Sequence, residues 1–194
     1  MGVRSLLMII HIEKKIDEQA YVLGKIFARA LPPDLTKEEF EAWWPRLSES
    51  ERDKYTVAET HNVITLSGRS AILNYIGNNI LTGAGTTGTT VTPFSQYFAV
   101  GTGAIANVSA GDVTMIGELF RAVPSMATVS GNSVNISTFF SAANANGIYT
   151  NAALFGGGTA TGSSGTGVLL THALYTFTKT SANSLTSDYL VNLN

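Results

Sequence analysis

Cysteine is missing from all 194 residues, which excludes disulfides, thiolate metal sites and catalysis by a thiol. Charge is scarce over most of the chain: of the 26 Asp, Glu, Lys and Arg residues, the first 60 positions hold 20 and the remaining 134 hold six. That rear portion offers only Arg69, Arg121 and Lys179 as cations, and the net charge is −2. Phosphate neutralisation needs a basic stripe, so nucleic acid is not an expected partner. Long apolar runs are also lacking. The densest, Leu6-Leu7-Met8-Ile9-Ile10, is far shorter than the ~20 residues of a spanning helix, so membrane insertion is not expected. A targeting segment is not expected either, because charge follows at once in His11 to Lys15 without a small-residue cleavage site.

Clustered chemistry is equally thin. His11, His61 and His172 sit in three different elements without the spacing of a metal pair. Asp112, Glu118 and Asp188 are the only acids after residue 60. Asp112 reads as a turn residue, and Glu118 with Arg121 as a local i, i+3 pair. Gly101-Thr-Gly103-Ala-Ile-Ala106 matches the glycine fingerprint of dinucleotide-binding folds in form. The loop-like Asn107-Val-Ser-Ala-Gly follows it, however, where the fingerprint needs a helix N-terminus. The glycine-rich stretch 156–167 lacks the Lys-Ser/Thr of a phosphate loop. The expectation is a protein with no catalytic residue, no cofactor and no metal site.

What the chain does contain divides near residue 60. In residues 1–60 the apolar spacing alternates three and four through Ile9, Ile12, Ile16, Gln19, Leu23, Ile26 and Ala30. Glu13, Lys14, Lys15, Asp17, Glu18 and Lys25 fall between them on a charged outer face. Isoleucine at both seam positions favours three or more strands over two, and one polar seam residue, Gln19, can set register. The reading is a short oligomeric helix, most simply a homotrimer with Ile9, Ile12, Ile16, Gln19, Leu23 and Ile26 at its subunit interface. A single amphipathic helix lying on its own domain or on a neighbour is the other reading. Pro32-Pro33 ends that helix. Two restarts follow, Thr36 with Glu39 and Ser48 with Glu51, each a Ser/Thr-x-x-Glu capping box, divided by Pro45. Phe40, Trp43 and Trp44 are spaced either to pack this small helical unit or to anchor it on another subunit as attachment residues. Glu51-Arg52-Asp53-Lys54 reads as a solvated face.

Residues 61–194 read as β. Asn62 to Leu66 is a strand, and Ser67 caps a short helix to Ile76. Residues 83–90 form a solvated loop. Strands are then predicted at Phe94 to Val100, Arg121 to Val129, Val134 to Phe140, Ile148 to Phe155, Val168 to Phe177 and Leu185 to Leu193, with a hairpin at Ser130-Gly131-Asn132. In the last strand Leu185, Tyr189, Val191 and Leu193 face one way, and Thr186, Asp188 and Asn192 the other. The predicted class is mainly β, an antiparallel β-sandwich preceded by an N-terminal helical attachment and oligomerisation segment. Residues 156–167 form an exposed hairpin tip.

Beyond residue 60 six motifs recur in order: Thr65-Leu-Ser-Gly68-Arg69 with Leu73, Ala99-Val-Gly-Thr-Gly103, Asp112 before Glu118-Leu-Phe-Arg121, Asn146-Gly147, Leu154-Phe155 and Lys179-Thr180. This order resembles the small β-sandwich proteins encoded among the tail and fibre genes of tailed bacteriophages. Asn151-Ala-Ala153 departs from the Glu-Ala-Gly usual before Leu-Phe, so the resemblance does not extend to a buried acid opposite Arg121. It implies a non-enzymatic virion component, in a tail, fibre or neck, assembled in the host cytoplasm and partnered by itself and by other virion proteins. The alternatives are a module that binds a host surface glycan or receptor through Asn144, Asn146 and Tyr149, and a capsid decoration protein.

Overall fold

The computed structural model describes residues 24–70, 96–104, 107–131 and 133–192. Its strands are β1 (Gly24–Leu31), β2 (Thr56–Ile64), β3 (Tyr97–Gly101), β4 (Glu118–Ala122), β5 (Met126–Ser130), β6 (Ser133–Phe140), β7 (Gly147–Gly156), β8 (Val168–Lys179) and β9 (Ser184–Asn192). They form one nine-stranded sheet in the order β4-β3-β7-β8-β2-β1-β9-β6-β5, and every pairing is antiparallel. The protein is mainly β and antiparallel, as its strand spacing suggests. The two separate sheets of a sandwich are replaced by a single curled one.

The chain itself requires the curl. β4 and β5 stand at opposite ends of the strand order, yet only Val123, Pro124 and Ser125 lie between them. Four residue steps reach at most about 14 Å, so the sheet must roll until its two edges approach. Side chains meet across the roll: the Phe120 ring of β4 lies 5.8 Å from Phe140 of β6, and Phe98 of β3 lies 6.0 Å from Phe140. Ile26, Ala28, Phe98, Val100, Phe140, Tyr149, Leu154, Tyr175, Leu185 and Tyr189 fill the interior. The expected strand Arg121 to Val129 is thus two strands. Pro124, which has no N–H to give a ladder, marks the corner between them.

The largest departure from expectation is β1. Its residues carry the spacing of a helical seam, but Gly24–Leu31 pairs with β2 on one side and β9 on the other, and Ile26 is fully buried in the sheet interior. Ile26 is therefore a core residue and not an oligomer contact. Ile9, Ile12, Ile16, Gln19 and Leu23 lie outside the described residues. The division near residue 60 falls inside β2, which runs from Thr56 into its pairing with β8, so residues 24–64 belong to the same body as the rest. The cause of that spacing is burial on both faces. Ile26 and Ala28 point into the roll, while Leu31 packs outward against Phe40 and Trp44, and a strand covered on both sides loses its alternation.

Between β1 and β2 the chain leaves the sheet and lies over its outer face. Helix α1 (Lys37–Trp43) and helix α2 (Glu49–Arg52) both start at the expected capping boxes, at Thr36/Glu39 and Ser48/Glu51, and a 3-10 turn, Trp44–Arg46, carries Pro45 between them. Pro32 and Pro33 close a strand and not a helix. A further helix begins at residue 66; its first turn is capped by Thr65 and not Ser67, since Thr65 Oγ1 accepts from the Gly68 N–H at 2.9 Å. The loop at 83–90 lies outside the described residues.

Truncating Ile26 to alanine removes a fully enclosed side chain from the centre of the sheet. The expected loss is about 2–5 kcal/mol, read as a lowered midpoint in urea unfolding with the association state unchanged.

Candidate functional site

The outer face of β1 carries Arg29, a guanidinium with no solvent exposure. A charge in that position has to be paired. Arg29 Nη1 donates to Asp188 Oδ2 of the neighbouring strand β9 at 2.5 Å, and Nη2 donates to Glu49 on α2 and to Asp53 Oδ1 at 3.2 Å. Nε donates to Thr56 Oγ1 at 3.1 Å. The guanidinium also lies 4.8 Å from the Phe27 ring and 5.6 Å from Trp44. Burial pushes the Asp188 carboxyl up, against the pull of Arg29 and of a hydrogen bond from Ser137. Glu51, Asp53 and Lys54 of the run 51–54 are exposed, as expected of a solvated face, and Arg52 alone turns partly inward. Arg52 donates to the Trp44 carbonyl at 3.1 Å and stacks 5.6 Å from its ring, while Asp53 serves Arg29.

Beside this cluster is a cavity of about 190 Å³ between the outer faces of β1, β9, β6 and β5 and helix α2. Phe27 and Leu190 supply apolar wall. Arg29, Asp188, Glu49 and Arg52 supply charge, and Thr128, Ser130, Ser133 and Asn135 supply neutral polar groups. Two polar atoms of its lining residues, Asn135 Oδ1 and Arg52 Nε, are closed off from water and have no hydrogen-bond partner. Leaving such a group unsatisfied costs about 1–3 kcal/mol.

A second cluster sits on the opposite half of the sheet. His172 of β8 is buried, and its Nδ1 lies 2.6 Å from Asp112 Oδ2. Its Nε2 faces Asn151 Oδ1 at 3.4 Å. Asn151 Nδ2 in turn donates to Ile116 O at 3.2 Å and Gly103 O at 3.4 Å. Burial alone would raise the Asp112 pKa; the Ser109 N–H and His172 outweigh it and hold the carboxyl below its ordinary value. A carboxylate, an imidazole and a third group suggest nucleophilic catalysis, but the third group here is an amide oxygen with no nucleophilic hydrogen to lose. The cluster instead ties Gly103 and the segment 107–117 to the sheet. Asp112 is a turn residue as its sequence context suggests, since its carboxylate accepts the Ser109 N–H at 3.0 Å.

Two further charged groups hold loops in the same way. Arg121 forms the expected pair with Glu118, at 2.6 Å from Nε, and reaches past it to Thr161 O and Thr166 O at 3.0 and 2.9 Å. Its guanidinium stacks 4.2 Å from Phe155. Glu118 Oε2 accepts the Gly165 N–H at 3.2 Å. The 156–167 tip is exposed, as expected, but it is pinned at its base. Lys179, only 3% exposed, donates to Ala142 O at 3.3 Å and Asn146 Oδ1 at 2.9 Å beneath the β6–β7 turn, and burial lowers its pKa.

The residues expected to mediate attachment are placed differently. Phe40 and Trp44 are fully buried, stacked 5.5 Å apart, and Phe40 lies 5.1 Å from Phe139. Trp43, half-buried, packs against Trp44 and Tyr55. All three serve this chain's own packing, and Phe40 and Trp44 have no surface left for another subunit. Tyr149, proposed above to contact a receptor, is buried in the interior. Among the described residues no group of three or more His, Asp or Glu could hold a metal ion, and no helix is long and apolar enough to cross a membrane. Arg29 and Asp188 were missed as a pair; the one available signal was Asp188 itself, a lone acid in an otherwise uncharged strand. Comparison with protein families, with curated proteins and with solved structures gives no match.

Two outcomes follow from these clusters. Arg29→Ala strands the buried Asp188 carboxylate and is expected to cost about 3–5 kcal/mol, measured by chemical unfolding, whereas Lys25→Ala, removing a half-exposed pair with Glu59, is expected to cost under about 1 kcal/mol. Burial raises the Glu118 pKa, but Arg121 and the Gly165 N–H outweigh it and lower it overall. Its contribution to stability is therefore complete above the unfolded carboxylate range and is lost as pH falls through the folded value. Hydrogen exchange at residues 157–167 should accelerate on acidification over that window, and Glu118→Gln should remove the dependence.

Proposed function

We propose that the protein is a non-enzymatic structural component of a tailed-bacteriophage virion, a tail, fibre or neck part that works by surface contact. The observation that carries this reading is the convergence of the motifs behind the resemblance. Thr65 bonds the Leu169 carbonyl, and Gly68 packs so closely on Leu170 that a Cβ there would overlap its carbonyl. Gly103 admits Ile116 O to within 2.6 Å of where its Cβ would be. Glu118 and Arg121 lock the 157–167 loop, and Phe155 stacks beneath Arg121. Scattered in sequence, these positions form one packing and loop-fastening face over β3, β7 and β8. The family departure is compensated as well: Asn151 bonds Gly103 and Ile116, and Arg121 takes its acid from Glu118.

The attachment segment is shorter than the sequence suggests. Residues from Gly24 onward belong to the body, so the helical handle and the homotrimeric seam rest on Ile9, Ile12, Ile16, Gln19 and Leu23 alone. Other virion proteins are the further partners, and a sandwich-like display of the body at the virion surface is part of the same proposal. Replacing Ile12 and Ile16 by Asp in the full chain should convert a trimer to a monomer in mass measurement without shifting the thermal unfolding midpoint; a wild-type monomer at micromolar concentration would remove the seam. For the virion role, imaging of particles lacking the protein decides: complete, unaltered particles that adsorb normally would refute it.

A further inference from the structure

We infer that the cavity between α2 and the outer faces of β1, β9, β6 and β5 is a binding subsite for one neutral pyranose ring, a single unit of a glycan. This goes beyond the virion reading and does not rest on it.

Size is the first constraint. A volume of about 190 Å³ is below the roughly 300 Å³ at which pockets for drug-sized molecules begin. That volume suits one six-membered sugar ring better than a nucleotide or a peptide strand. Charge is the second. The guanidiniums of Arg29 and Arg52 are both engaged by Glu49, and Arg29 also by Asp188 and Asp53. The cations are thus matched by carboxylates, leaving no positive excess to draw a phosphate or carboxylate ligand. The same pairing leaves no unspent carboxylate to draw a metal or an amine.

What remains for an occupant is neutral hydrogen bonding on an apolar backing. Thr128, Ser130 and Asn135 line one side and Phe27 and Leu190 supply apolar surface, the pairing of hydroxyl partners and flat hydrocarbon that a pyranose presents on its edge and face. A wholly apolar ligand would strip water from the hydroxyls and amide without replacing it. Glu49, with 58% of its side chain exposed, stands at the mouth, where the next unit of a chain would leave. This site is remote in sequence from Asn144, Asn146 and Tyr149.

The test is a titration of the full-length protein, followed by NMR of its backbone amides, with glucose, galactose, mannose and N-acetylglucosamine, and separately with inorganic phosphate and acetate. At least one sugar should give saturable shifts at Thr128, Ser130 and Asn135 with a dissociation constant near ~1 mM. Asn135→Ala should weaken it about tenfold, and Ser130→Trp, which fills the cavity from an exposed strand, should abolish it with the unfolding midpoint retained. No saturable shift with any of the sugars, shifts that survive Ser130→Trp, or saturation by phosphate or acetate in their place would each overturn the inference. None of these outcomes alters particle assembly, which tests the virion reading separately.

Discussion

The burial of one guanidinium organises the outer half of this molecule. Arg29 stands in the middle of the sheet on a strand whose other face fills the core, so it can neither turn to water nor be left unpaired. β9 supplies one carboxylate, and the remaining acceptors come from the chain lying above. Removing two ions from water costs more than an ordinary surface pair returns, so such a cluster is weak as a source of net stability and strong as a constraint on geometry. Helices of seven and four residues cannot persist by themselves. Phe40 and Trp44 give α1 its adhesion, and Arg29 fixes where α2 ends up. The shape of the cavity beside them follows from that placement.

The same economy runs through the rear portion. Five of its six charged residues, Asp112, Glu118, Arg121, Lys179 and Asp188, act as fasteners between the sheet and an excursion on its surface. Asp112 holds 107–117 through His172, Glu118 and Arg121 hold 157–167, Lys179 holds the turn 141–146, and Asp188 completes the Arg29 cluster. Ala145 in that turn takes a φ of 54°, which a non-glycine residue rarely adopts, and the Tyr149 hydroxyl donates to its carbonyl from below. Among the described residues the rolled sheet ends at β4 and β5, and most of the charge of the rear portion goes to arranging its outer surface.

Local chemistry was legible in the sequence, and long-range pairing was not. The capping boxes at Thr36 and Ser48, the Ser130-Gly131 hairpin, the Glu118–Arg121 pair and the facing of Leu185, Tyr189 and Val191 each depend on neighbours within a few positions, and each is found. β1 failed because its two faces are both covered, so apolar residues fell at helical spacing by accident of burial. β4 and β5 read as one strand because only Val123, Pro124 and Ser125 separate them, although they stand at opposite ends of the strand order and meet only through the roll. Arg29 and Asp188 lie 159 positions apart, and nothing in either neighbourhood announces the other. The tryptophans show the converse: an aromatic cluster reads the same whether a partner or the chain's own sheet covers it.

Placing the charges beneath loops has a consequence for what the surface can recognise. Buried pairs are screened little by salt, so the loops they hold should keep their positions over a wide range of ionic strength. Among the described residues, the exposed part of the rear portion is then left, Arg69 aside, mainly with hydroxyls, amides, glycine and isolated apolar side chains such as Val113, Ile148 and Val129. Such a surface exerts little long-range pull on an approaching molecule and discriminates at contact, through shape and neutral hydrogen bonds. Multiple weak contacts presented by identical subunits are the way to make that kind of recognition firm, because each further contact is made at the high local concentration set by the first. A fold that hides its charge therefore gains most from being displayed in several copies.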